Sequence, residues 1–80
     1  MNVLAEFKDV CLRGNGASST DYMWRMQWKG YASDEDTWEP TRNAVGVDNC
    51  YQDQLMEFKR GLVGKGKWPP TKTMADVGAD

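Results

Sequence analysis

Apolar and polar residues alternate most regularly between Tyr22 and Trp28, where Trp24, Met26 and Trp28 are separated by Arg25 and Gln27. A period of two belongs to a strand with one buried face. Gly30 interrupts it, and Ala32 to Asp36 is small, acidic and turn-forming. Thr37 and Trp38 begin a short returning strand, which Pro40 closes because proline cannot donate to a sheet ladder. The pattern predicts a hairpin with a carboxylate-rich turn and large aromatic rings beside it.

Upstream, Val3 to Leu12 mixes apolar and charged residues without a clean period. It reads either as one strand or as an extended arm followed by a strand over Phe7 to Leu12. Gly14 to Asp21 is turn composition throughout. Downstream, residues 41–48 form a connector. Asp48 or Asn49 is placed to cap a helix, with Gln52 three residues after Asn49 as a capping box requires. Tyr51, Leu55, Phe58 and Leu62 make one helical stripe, read as core, and Gly61 is placed to end the helix. The expected architecture is α+β: a curved three-stranded antiparallel sheet packed against a C-terminal helix. Residues 1–62 would form the domain. Residues 63–80, with little to bury beyond Trp68 and stiffened at Pro69-Pro70, are expected to be a flexible basic and polar tail.

A chain of 80 residues allows one small domain with a thin core, in which four tryptophans, three tyrosines and two phenylalanines concentrate the apolar area. No apolar run approaches the length of a membrane span, and no signal-peptide pattern opens the chain. Cys11 and Cys50 lack metal-ligand spacing and there is no histidine, so no metal or cofactor is expected and the thiols are read as free. A soluble, intracellular chain is expected.

Charge is split along the sequence. Residues 1–57 hold ten acidic side chains against five basic ones, whereas Lys59, Arg60, Lys65, Lys67 and Lys72 follow with no acid between them. A net-negative domain favours a cationic ligand and disfavours that part as a primary nucleic-acid binder. A generic solvated acidic surface accounts for the charge equally well. The basic stretch reads first as a solubilising linker and second as a weak nucleic-acid contact. With no phosphate-binding glycine loop, nucleophile elbow or metal cluster in the sequence, an enzyme is not expected.

Trp28-Lys29-Gly30-Tyr31, six variable residues, then Trp38-Glu39-Pro40 resembles the centre of a chromodomain, the chromatin module that binds methylated lysine on histone tails. The resemblance extends to the helix at Tyr51 to Arg60 and so covers most of residues 3–62. It implies a nuclear, monomeric reader without catalysis of its own, whether free-standing or a module of a larger chromatin enzyme. A methylated histone tail would be its partner and no membrane would be involved. A divergent member, serving protein or nucleic-acid targeting without methyl-lysine readout, is the alternative.

The family holds the methylammonium in a cage of aromatic rings. Carried over, Trp28 and Tyr31 are two of the rings and Glu35 is the assisting turn acid. Trp38 matches a structural position and is expected in the core. The third ring comes from the N-terminal arm, where two alignments compete. Ungapped spacing places Phe7 there, while matching Val10-Cys11 to the family's aliphatic pair places Ala5 there. The histone tail would be held as an added strand along Val3 to Phe7, with Val3 and Ala5 among the contacts, and near Asn43. The next peptide-contacting acid is Asp48 if Ala44 to Val47 contains an insertion; ungapped, the position is Val45.

Overall fold

The computed structural model describes residues 3–13 and 22–78. Strands β1 (Leu4–Leu12), β2 (Tyr22–Trp28) and β3 (Thr37–Pro40) form one antiparallel sheet in the order β1-β2-β3. A 3-10 turn at Ser33–Glu35 joins β2 to β3, and a single-turn helix α1 (Thr41–Ala44) follows directly. A second 3-10 turn at Val47–Asn49 leads into helix α2 (Gln52–Gly64). This is the α+β architecture expected. The glycine-rich turn expected at 14–21 lies outside the described residues.

The missing period in β1 has a structural cause. The strand is continuous, but its pairing with β2 slips between Leu4 and Glu6 and again between Phe7 and Asp9. Each slip displaces the alternation, so the residues facing the core are Leu4, Phe7 and Val10. The core joins these to Trp24, Met26, Ala44 and Leu55, with Tyr51, Phe58 and Leu62 packed at its margin. The helical stripe thus meets the sheet as its spacing requires. Trp24 is the hub. Its ring lies 6.0 Å from Phe7 and 6.3 Å from Phe58, both edge-on, and its Nε1–H donates to Thr41 Oγ1 at 2.8 Å.

Trp38 departs from the expectation of a core ring. It pairs with Arg25, between the inward-facing Trp24 and Met26, and so lies half-buried on the opposite face. The same hairpin is clamped from within, where Arg25 Nε donates to Asp36 Oδ2 at 3.1 Å and the Asp36 side chain is only 2% exposed.

The helix limits also differ from the sequence reading. Asp48 and Asn49 adopt left-handed backbone, φ 53° and 59°, a conformation that Asp and Asn tolerate better than most residues. They make a sharp turn instead of a cap, and α2 begins after Tyr51 with no side-chain cap. Gly61 does not stop the helix, which runs on to Gly64; Lys65 closes it ahead of Gly66 at φ 70°.

Beyond α2 the chain returns along β1, a course the tail reading did not include. Trp68 stacks on Trp24 at 5.9 Å and tilts against Tyr22 at 5.0 Å. Leu12 donates to the Lys72 carbonyl at 2.9 Å and accepts from the Met74 amide at 3.1 Å, while Lys72 pairs with Asp9. This segment covers the end of β1 opposite β2. The segment is held by one indole and a row of backbone groups, which local composition does not single out.

Met74 also covers Cys11, whose Sγ lies 3.2 Å from the Met74 sulfur. Burial, with help from Asp9 and Asp76 against Lys72, pushes the Cys11 thiol up to about 11 from 9.0. A raised pKa means that the folded chain holds this proton more tightly than the unfolded one. The associated stability is complete below 9.0 and is lost as pH rises through about 11. At mildly alkaline pH a thiol reagent should therefore modify exposed Cys50 in the native protein and reach Cys11 only on unfolding. Equal labelling rates, read by mass spectrometry, would contradict this burial.

Candidate functional site

Trp28 is the last residue of β2 and follows Trp24 and Met26 on the inward face. Those two are buried, but at the end of the strand the core runs out and Trp28 is only half-buried. Its indole Nε1–H donates to Thr37 Oγ1 at 2.9 Å, which fixes the ring against the hairpin. The ring forms one wall of an open cleft of about 510 Å³, whose other sides include Tyr51, Glu39, Arg42, Asn43 and Gly46.

Each wall has a local reason for its place. Glu39 is paired with Trp24 in the β2–β3 register and shares the inward side of the sheet. Asn43, one turn later on α1, lies with Nδ2 at 3.5 Å from Glu39 Oε1. Tyr51 immediately precedes α2, and its phenol oxygen accepts from the Leu4 amide at 3.2 Å, tying β1 to the helix start. Gly46 permits this packing: at φ 79°, a Cβ there would lie 2.7 Å from both Cys50 Sγ and Tyr51 Cδ2. Gly46→Ala should therefore cost about 1–3 kcal/mol, through the left-handed backbone and the displaced tyrosine. A denaturant midpoint equal to that of the parent would contradict the contact.

The expected site residues, Phe7 apart, fall at four places. Trp28 and Asn43 come together on this cleft. Tyr31 and Glu35 lie on the adjoining turn: the Tyr31 amide donates to the Trp28 carbonyl at 3.2 Å, its side chain is 47% exposed, and Glu35 is exposed. Val3 and Ala5 are exposed on the arm, and the Val3 carbonyl accepts from the Lys29 amide at 2.8 Å. Asp48 is exposed on the turn preceding α2, next to cleft-lining Val47.

Phe7 belongs to none of these groups. It is 6% exposed and packs on Trp24 and on Phe58, 6.1 Å away, so it is a core ring and does not accompany Trp28 and Tyr31. The slips in β1 turn it inward. Val10 and Cys11 are both buried.

Sequence reading missed Tyr51 and Glu39. In the sequence Tyr51 belongs to the helical stripe, and the signal that sets it apart is its hydroxyl, which favours an interfacial place over a closed core. Glu39 stands in the closing Trp-Glu-Pro motif, and the β2–β3 register puts it on the side of Trp24. The cleft thus offers two aromatic side chains, one carboxylate, one guanidinium, one amide and the Cys50 thiol, a set suited to binding a polar or cationic ligand. Among the described residues no group of three or more His, Cys, Asp or Glu could hold a metal ion, and no helix is long and apolar enough to cross a membrane.

Comparison with known proteins places this sequence among relatives. Residues 11–60 match the family model of the Chromo (CHRromatin Organisation MOdifier) domain. The chain is 40% identical to human Chromodomain Y-like protein over 55 residues, which is 69% of this chain and 8% of that protein. It is 40% identical to human M-phase phosphoprotein 8 over 40 residues, 50% of this chain and 4% of that protein. The rat M-phase phosphoprotein 8 is 42% identical over 38 residues, covering 48% of this chain and 4% of that protein. The chain thus spans under a tenth of the length of these relatives. No solved structure matches it.

Proposed function

Because the chain belongs to the chromodomain family, we propose that it is a nuclear chromatin-reader module that binds a methylated lysine in a histone tail and performs no catalysis itself. The observation that carries this reading is the half-buried Trp28, pinned by Thr37 and open to a cleft shared with Asn43, beside exposed Tyr31. A quaternary ammonium keeps its charge but has no proton to donate, so hydrogen bonds cannot hold it. The negative faces of aromatic rings can, at about 0.5–2 kcal/mol per ring depending on desolvation.

In this reading Trp28 and Tyr31 supply the ring faces and Glu35 the nearby negative charge. The tail backbone adds as a strand along Val3 and Ala5, with Asn43 and Asp48 as polar contacts. Glu39 and Tyr51 extend the same surface. Isolated, the domain acts as a monomer.

The burial of Phe7 supports a second reading, a divergent chromodomain that engages a protein partner without reading methylation, since only two family rings are then available. Titration with matched unmethylated and trimethylated histone peptides decides between them. The first reading expects trimethylation to tighten binding by about tenfold or more, the contribution of one to two rings. Equal affinities would establish the second.

A further inference from the structure

A second opening, of about 460 Å³, lies where β1, the last turn of α2 and the returning C-terminal segment meet. Lys8, Lys65, Lys67 and Lys72 surround it, with Asp9 the one carboxylate among its lining residues. These lysines come from parts of the chain more than fifty residues apart, and only the return of the tail along β1 brings them together. Asp9 is engaged by Lys72, and Lys8 stands 4.0 Å from Glu6; Lys65 and Lys67 make no ion pair among the described residues. The apolar floor comes from Phe58, Leu62 and Pro70. The other basic residues of this stretch are occupied elsewhere: Arg60 pairs with Glu57 at 2.9 Å, and Lys59 sits 5.0 Å over the Trp68 ring.

We propose that this cleft binds the phosphate backbone of single-stranded nucleic acid, independently of the Trp28 cleft. Four lysines against one carboxylate leave a local positive excess on a chain whose net charge is −2, so the remaining surface orients a polyanion toward this face. The lining has no arginine fork for bidentate capture of a phosphomonoester, which makes a phosphopeptide the poorer fit. Separate ammonium groups along a groove suit successive phosphodiesters, and the floor offers apolar surface to an unstacked base or sugar.

The test is fluorescence anisotropy of a short labelled single-stranded RNA of mixed sequence, titrated with the full chain at several salt concentrations. Two to four phosphate contacts, from Lys65 and Lys67 alone or joined by Lys8 and Lys72 released from their carboxylates, predict a slope of log affinity against log salt of about −1.4 to −2.8, a loss of roughly 7- to 50-fold between about 50 and 200 mM. The double substitution Lys65→Gln, Lys67→Gln, at two exposed positions, should weaken binding about tenfold and reduce the slope by about one or more. Arg60→Gln removes the same kind of charge outside the cleft and should change affinity less than about twofold. Methylated-peptide affinity should be the same in all three chains, so failure here is separable from failure of the reader assignment. A flat salt dependence, equal binding by the double variant, or tighter binding of a phosphopeptide of matched charge would overturn the proposal.

Discussion

Replacing Trp28 with alanine should lower affinity for a trimethylated histone peptide by at least about 30-fold. That is the loss of roughly 2 kcal/mol expected from one well-desolvated ring. The indole is half-buried and its Nε1–H is bonded to Thr37, so the substitution also removes packing and leaves Thr37 Oγ1 without this donor. Circular dichroism and a denaturant melt must therefore accompany the titration. Thr37→Val gives a second test. It keeps the ring but removes its anchor, and should cost a smaller factor, about fivefold, because a looser ring is less preorganised. A folded Trp28→Ala chain with unchanged affinity would contradict the assignment of Trp28.

Trp24→Ala should have the largest effect on stability, about 3–5 kcal/mol. This ring touches Phe7, Phe58, Tyr22 and Trp68, and its indole N–H bonds Thr41 at the start of α1. One residue thereby joins β1, α2, α1 and the returning segment, and its removal opens a cavity bordered by all four. Small domains are stable by about 5 kcal/mol or little more, so the variant should be largely unfolded near room temperature. Loss of the near-ultraviolet circular dichroism signal would show this. A cooperative melt at the parent midpoint would contradict the role given to Trp24. Trp24→Phe should retain the fold with a smaller loss, because it keeps a ring and forfeits only the Thr41 bond and part of the contact.

Legibility in the sequence followed the reach of each signal. The hairpin and the stripe of α2 rest on short periods, two and about 3.6, and both were readable residue by residue. The position of Phe7 depends on two pairing slips in β1, which no local pattern announces. The cleft depends on Tyr51 reaching Leu4 across 47 positions and on a left-handed turn at Asp48 and Asn49 that displaces the helix start. The same limit applies to the tail. Its lysines read as a solvated run until Leu12 and Lys72 are hydrogen-bonded, after which they face Lys8 across a groove. Trp38 failed for a simpler reason: strand parity across the turn depends on register, and the register puts it opposite Arg25.

The central claim is that a fixed positive charge without donors is held by ring faces at Trp28 and Tyr31. The most direct measurement compares two histone peptides that differ at one atom, trimethyl-lysine and its neutral analogue with carbon in place of the quaternary nitrogen. Shape and apolar area are nearly the same, so the difference isolates the charge. The account predicts that the charged peptide binds roughly tenfold tighter or more, with the difference largely lost in Trp28→Ala. Equal affinity for the two peptides would contradict it.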